Sequence, residues 1–199
     1  MKLWKLTGAA AALLTLPALG QAEFNYTSAE FNYLLDVEVD AGPFSVDGDG
    51  IGVAGSYTIA DGFFISGSYE DFDLDFNING DWLEIGGGYF HTLNEDLDFV
   101  ATLNWVDVEI STNFASADDD ALALGGGIRA RLSDDIEVDA MLEYYDFDEG
   151  DSDTSLELRG RYYFNPEFSL QLKMNLGSDF ETIAIGVRSE FGGRRSSAQ

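Results

Sequence analysis

"GGGIRARLSDDIEVDAML", residues 125–142, divides into two unlike sets when every second residue is taken. One set is Arg129, Arg131, Glu137 and Asp139. The other is Ile128, Ala130, Leu132, Ile136, Val138, Ala140 and Leu142. Period two on both sides of the polar Ser133-Asp134-Asp135 predicts two strands joined by a short turn. A hairpin symmetric about Asp134 sets Arg131 opposite Glu137 and Arg129 opposite Asp139, two cross-strand pairs of opposite charge on one face. That face is charged and self-neutralising, while the other is wholly aliphatic. Alternation alone does not say which of them looks inward.

The pattern repeats along the chain, and no stretch after residue 22 keeps a helical period. About ten strands are expected, near 27–39, 50–60, 63–76, 81–92, 97–106, 120–132, 136–146, 154–164, 168–177 and 181–191, with eight as the alternative count. Two kinds of connection alternate between them. Brief turns fall at 60–62, 93–96, 133–135 and 165–167; mostly longer, acidic connections fall at 40–49, 71–81, 107–120, 146–153 and 178–181. Such an alternation describes an antiparallel up-and-down β-barrel with turns at one end and loops at the other.

The chain has 199 residues and a formal net charge of -27, which fits one domain of moderate size. Its first 22 residues stand apart: Lys2 and Lys5, an apolar run from Ala9 to Leu19, then the small-residue ending Gly20-Gln21-Ala22. These are the marks of a secretory signal peptide, with cleavage expected after Ala22 or after Gly20. The expected division is 1–22 signal peptide, 23–191 barrel and 192–199 a short polar tail holding Arg194 and Arg195. With no cysteine, disulfide frameworks, thiolate metal sites and thiol enzymes are excluded. No Lys or Arg occurs between Glu23 and Ile128, and so acidic a chain is no partner for nucleic acid.

Volume and aromatic placement assign the two faces. A ring of about ten strands encloses a small interior. Rows such as Phe31, Tyr33, Leu35, Val37, Val39 and Leu156, Leu158, Tyr162, Phe164 would overfill it. The opposite face carries small residues, among them Gly50, Gly52, Ala54, Ser56, Gly86, Gly88, Ala121, Ala123, Gly125 and Gly127, which leave room for long arginines across a narrow lumen. Tyr57, Phe63, Tyr89, Phe99, Tyr162, Phe164, Phe168 and Phe191 lie on the apolar face near the turn end; Tyr69, Trp105 and Tyr144 lie toward the loop end. Two aromatic bands around an aliphatic zone are the girdles of a transmembrane barrel. A Lys or Arg facing lipid at mid-membrane costs about 2–4 kcal/mol, which confines the strand-borne cations to the lumen. A soluble calycin-like binding barrel, with the faces exchanged, is the remote alternative.

On these residues the chain resembles the small outer-membrane β-barrel proteins of Gram-negative bacteria, the porin and opacity-type group. The resemblance covers residues 23–191 and includes the final strand "ETIAIGVRSEF", which is similar to their C-terminal targeting signal, although here "GGRRSSAQ" follows the terminal Phe191. It implies residence in the outer membrane among lipid and lipopolysaccharide, and insertion by the outer-membrane assembly machinery. It carries over no functional residue.

The candidate site is therefore the lumen, where Arg129, Arg131, Arg159, Arg161, Lys173 and Arg188 meet Asp36, Glu84, Asp98, Glu137, Asp139, Glu143, Glu157 and Glu190. Interlocked, these charges plug the barrel and leave it a structural or surface-interaction role; partly hydrated, their surplus acids make a narrow cation-preferring pore. "DFNINGDWLEIG" (75–86) begins like a calcium loop, but Gly86 stands where a bidentate Glu is required. Asn79-Gly80 reads better as a two-residue hairpin turn, with a bulge expected between Tyr69 and Phe72. The acidic runs 47–50, 116–120 and 146–153 either solvate the loops or hold divalent cations weakly. The single histidine, His91, falls on the lipid-facing phase beside Tyr89, and no nucleophile motif accompanies it. No enzyme activity and no cofactor are expected.

Overall fold

The computed structural model describes residues 24–40, 45–148 and 150–191; the expected signal peptide and the polar tail lie outside them. Ten antiparallel strands follow one another: β1 (Ser28–Asp40), β2 (Ser45–Ala60), β3 (Phe63–Leu74), β4 (Ile78–Asn94), β5 (Leu97–Ser111), β6 (Ser116–Ser133), β7 (Ile136–Phe147), β8 (Asp153–Asn165), β9 (Phe168–Leu176) and β10 (Phe180–Glu190). Each pairs with the next and β1 closes on β10, so the order around the ring is the order in sequence. The fold is a closed up-and-down barrel of ten strands, not eight. β6 and β7 pair with Arg129 opposite Asp139 and Arg131 opposite Glu137.

The short turns are made by residues suited to them. Gly62 takes φ +81, a left-handed conformation that a Cβ disfavours. Asn94 accepts the Asp96 amide at 2.9 Å, and Asn165 accepts the amides of Glu167 and Phe168 at 2.9 and 3.0 Å. Asparagine thereby supplies the acceptor that a backbone turn lacks.

Through the middle of the barrel the outer face is apolar and open: Ile51, Val53, Leu103, Leu124, Leu158, Leu172 and Ile185 are all exposed. The aromatics of both girdles lie on this outer face; Tyr89 is covered there by Phe63 and stacked on His91. Tyr33 donates to Asp49 at 3.0 Å and Tyr69 of the upper girdle donates to Asp81, so both hydroxyls meet the first polar residues beyond the aliphatic zone.

Past that girdle the strands continue, and the alternation persists with its polarity reversed. The outward positions become Asp49, Asp71, Asp81, Asp107, Asp120 and Asp146, while Phe72, Leu74, Val106, Val108, Ile110 and Phe147 point inward. Much of the sequence expected as acidic loop is therefore strand standing beyond the apolar belt, with an ordinary water-facing exterior.

Three expectations are corrected by this reversal and by the register. The turn between β3 and β4 is not at Asn79-Gly80: Phe72 pairs with Gly80, Asp73 with Asn79 and Leu74 with Ile78, and the chain reverses over Asp75–Asn77. Gly80 is needed for packing instead, because a Cβ there would overlap the Phe72 ring. No bulge separates Tyr69 from Phe72; the pairing of β3 with β4 is continuous from Phe63 to Leu74. A bulge does occur in β1, between Leu34 and Val37. It turns Val37 and Val39 inward, away from the lipid row they were expected to join, and it leaves Asp36 outside the lumen.

Candidate functional site: the barrel lumen

Long charged side chains from β6 to β10 cross the interior toward a wall of small residues: Gly52, Ala54 and Ser56 on β2, Ser66 and Ser68 on β3, and Gly86 and Gly88 on β4. The charged residues form three groups. In the first, Arg129 donates to Glu137 Oε2 from Nη2 at 2.7 Å and from Nε at 3.1 Å, and reaches Glu190 at 3.2 Å. The Tyr163 hydroxyl donates to Glu190 at 2.6 Å and lies 3.2 Å from Glu137. Arg131 stands 3.7 Å from the other Glu137 oxygen. In the second, Arg161 bonds Asp139 at 2.6 Å, whereas Arg129, directly opposite that aspartate, is 3.9 Å away.

The third group is built on Glu30. Arg188 pairs with it, Arg159 lies 3.5 Å from it, and the Gln171 amide donates to it at 2.9 Å. Arg159 also bonds Glu157 at 2.9 Å, Arg188 bonds Glu190 at 3.1 Å, and Lys173 pairs with Glu70. Glu143 accepts from Tyr145 at 2.9 Å and Glu84 accepts from Asn104. Asp98 is fully buried, and Tyr26 donates to it at 2.9 Å. Each of these groups is withdrawn from bulk water and has at least one charged or hydrogen-bonding partner, the condition under which buried charge is tolerated.

Glu30, Glu70, Gln171 and Tyr163 were not among the expected site residues. Glu30 alternates with Phe31 and was open to the same period-two test; Glu70 sits just below the polarity reversal, where the pattern is hardest to follow.

Two apolar closures accompany the charges, one toward each end of the lumen. At the turn end Phe24, Tyr26, Phe64, Phe90, Val100 and Met141 form one buried cluster. Tyr26 stacks on Phe90 at 4.1 Å and on Phe64 at 5.2 Å between ring centres. Gly88 makes this floor feasible, since a Cβ there would strike the Phe64 ring. At the loop end Leu34, Val37, Phe72, Leu74 and Ala184 form a second cluster. Beside it Trp82 stacks on Phe180 at 5.1 Å and meets Tyr145 edge-on at 5.7 Å. These contacts are chords of the ring: Trp82 is on β4 and Phe180 on β10, and Lys173 on β9 reaches Glu70 on β3. Neighbouring strands alone would leave the centre open; chords fill it.

Between floor and cap remains a chamber of about 220 Å³. Six carboxylates, among them Glu70, Glu84, Glu143 and Glu157, line it together with five cations, among them Arg159 and Lys173. Polar walls and room for several waters make it a hydrated compartment.

No family model matches the chain, and no curated protein matches it. Solved structures similar to it include a KdgM porin (14% identity, 82% of this chain and 99% of that one, TM-score 0.46). Another is the translocator domain of autotransporter NalP from Neisseria meningitidis (10% identity, 92% of each chain, TM-score 0.47). A third is Ail, the attachment invasion locus protein of Yersinia pestis (16% identity, 82% of this chain and 98% of that one, TM-score 0.44).

Proposed function

We propose that this chain is an integral outer-membrane barrel with a closed lumen, which acts as a structural or surface-interaction module and not as an open pore. The carrying observation is the pair of apolar closures together with buried ion pairs: Arg129, Glu137, Arg188 and Glu190 are each no more than 5% exposed, and Arg129–Glu190, Arg159–Glu30 and Lys173–Glu70 join strands that are not neighbours. The apolar belt with its aromatic girdles supports insertion in a bilayer, and the outward acidic row supports contact with lipopolysaccharide through bridging divalent cations. Chelation with EDTA should lower the thermal midpoint in lipopolysaccharide bilayers and leave it unchanged in phosphatidylcholine.

Single-channel recording of the refolded chain in planar bilayers tests the closed lumen. A quiet membrane is expected. Steady conductance with preference for cations would move the function to the second reading, a narrow cation pore, which the carboxylate-rich chamber favours.

A further inference from the structure

Phe24 to Tyr26 belong to no strand, yet Phe24 and Tyr26 are 5% and 7% exposed. The segment leaves the start of β1 and runs into the lumen, where it meets side chains from β6, the strand diametrically opposite in a ring of ten. There the Arg129 guanidinium lies over both rings, 5.0 Å from the centre of Phe24 and 5.1 Å from that of Tyr26, and Arg131 lies 4.8 Å from Phe24. The Asn25 carbonyl accepts from Arg129 at 2.9 Å and from Arg188 at 3.2 Å.

We propose that Phe24–Tyr26 is a detachable plug that seals the acidic chamber at the turn end, and that its withdrawal admits small hydrophilic cations. This rests on the closed-lumen reading above. The contacts holding the rings and the Asn25 carbonyl all come from side chains. The backbone ladder to the barrel's end begins only at Thr27, whose carbonyl accepts the Phe191 amide at 2.9 Å. Withdrawal therefore breaks stacking, cation–π contacts and a few hydrogen bonds while every strand pairing stays intact. The seal is direct, because Tyr26 and Phe64 line the chamber itself. Six carboxylates line it against five cations, a surplus of one negative charge that gives the compartment a preference for positive charge.

The chain has no cysteine, so Thr102→Cys places a single thiol on the chamber wall. Modification of this refolded protein in micelles by methanethiosulfonates bearing trimethylammonium or sulfonate measures entry. Slow labelling is expected, rising at least tenfold when Phe24→Ala and Tyr26→Ala are added, with the cationic reagent faster than the anionic one. Heat-modifiable gel migration verifies folding in each case. Tyr26→Phe, which removes only the bond to Asp98, is expected to give a smaller acceleration and decides the matter if the double variant fails to fold. Unchanged slow labelling in the folded variants overturns the plug alone. Fast labelling of Thr102→Cys without plug substitutions overturns the closed lumen, and the plug with it.

Discussion

Arg129 stands across from Asp139 in the strand register but makes its shortest hydrogen bond to Glu137, a diagonal neighbour. The reason is competition: Arg161, opposite Glu137 on the other side, takes Asp139 at 2.6 Å. Pairwise energies should follow the contacts and not the register. A double-mutant cycle on Arg129→Ala and Glu137→Ala, read by urea unfolding in micelles, is expected to show coupling above roughly 1 kcal/mol. The cycle on Arg129→Ala and Asp139→Ala should give a smaller coupling, since at 3.9 Å the ion pair has no hydrogen bond. Equal coupling in both cycles would mean that the charges act as one diffuse pool. The register of this hairpin was legible from "RARLSDDIEVD" because period two and a short turn define it. The partner choice was not, because it depends on Arg161 from a strand that the hairpin does not contain.

At the scale of the element, the hairpin of β3 and β4 shows why Asn79-Gly80 misled. A strong turn dipeptide is decisive only if the flanking residues want opposite sides, and here Phe72 packs on Gly80 inside the barrel. The actual turn places Phe76 at φ 65 with its side chain 82% exposed, a left-handed conformation for a bulky residue that packs on little. Phe76→Asn is therefore expected to stabilise by a few tenths to about 1 kcal/mol in urea unfolding, because asparagine tolerates this region. A loss of stability would show that the exposed ring is held by contacts outside the described chain. The polarity reversal also leaves like charges directly opposite one another across four strands: Asp71 with Asp81, Asp81 with Glu109, and Glu109 with Asp118. Like pairs across strands are unfavourable. Glu109→Lys should raise stability by roughly 0.5–1 kcal/mol at low salt, and the gain should shrink as ionic strength screens it. A gain that persists in 1 M salt would point to packing in place of charge.

Over the whole molecule, strand number, strand order and the assignment of faces within the apolar belt were legible, because a narrow closed ring leaves one place for arginine and one for leucine. Three things were not. The upper extension of the strands looked like loop, since its outward row is acidic and the phase of its apolar residues is opposite to that of the belt. The floor and cap were hidden because Phe64, Phe72, Phe90 and Tyr145 read as more of the same aromatic content, and only the three-dimensional chords show them meeting inside. The inward run of Phe24–Tyr26 had no periodic signature at all.

The inward placement of every Lys and Arg among the described residues has a consequence for proteolysis. Trypsin requires a cation on an extended, accessible segment, and this barrel offers it none between Phe24 and Phe191. Overnight digestion of the refolded protein should leave that span in one piece, whereas boiled protein should be cut after Arg129, Arg131, Arg159, Arg161, Lys173 and Arg188. Cleavage at these sites in the folded sample would mean that the lumen opens wide enough to surrender its strands. A barrel built this way hides its own scissile bonds by turning each of them toward the axis.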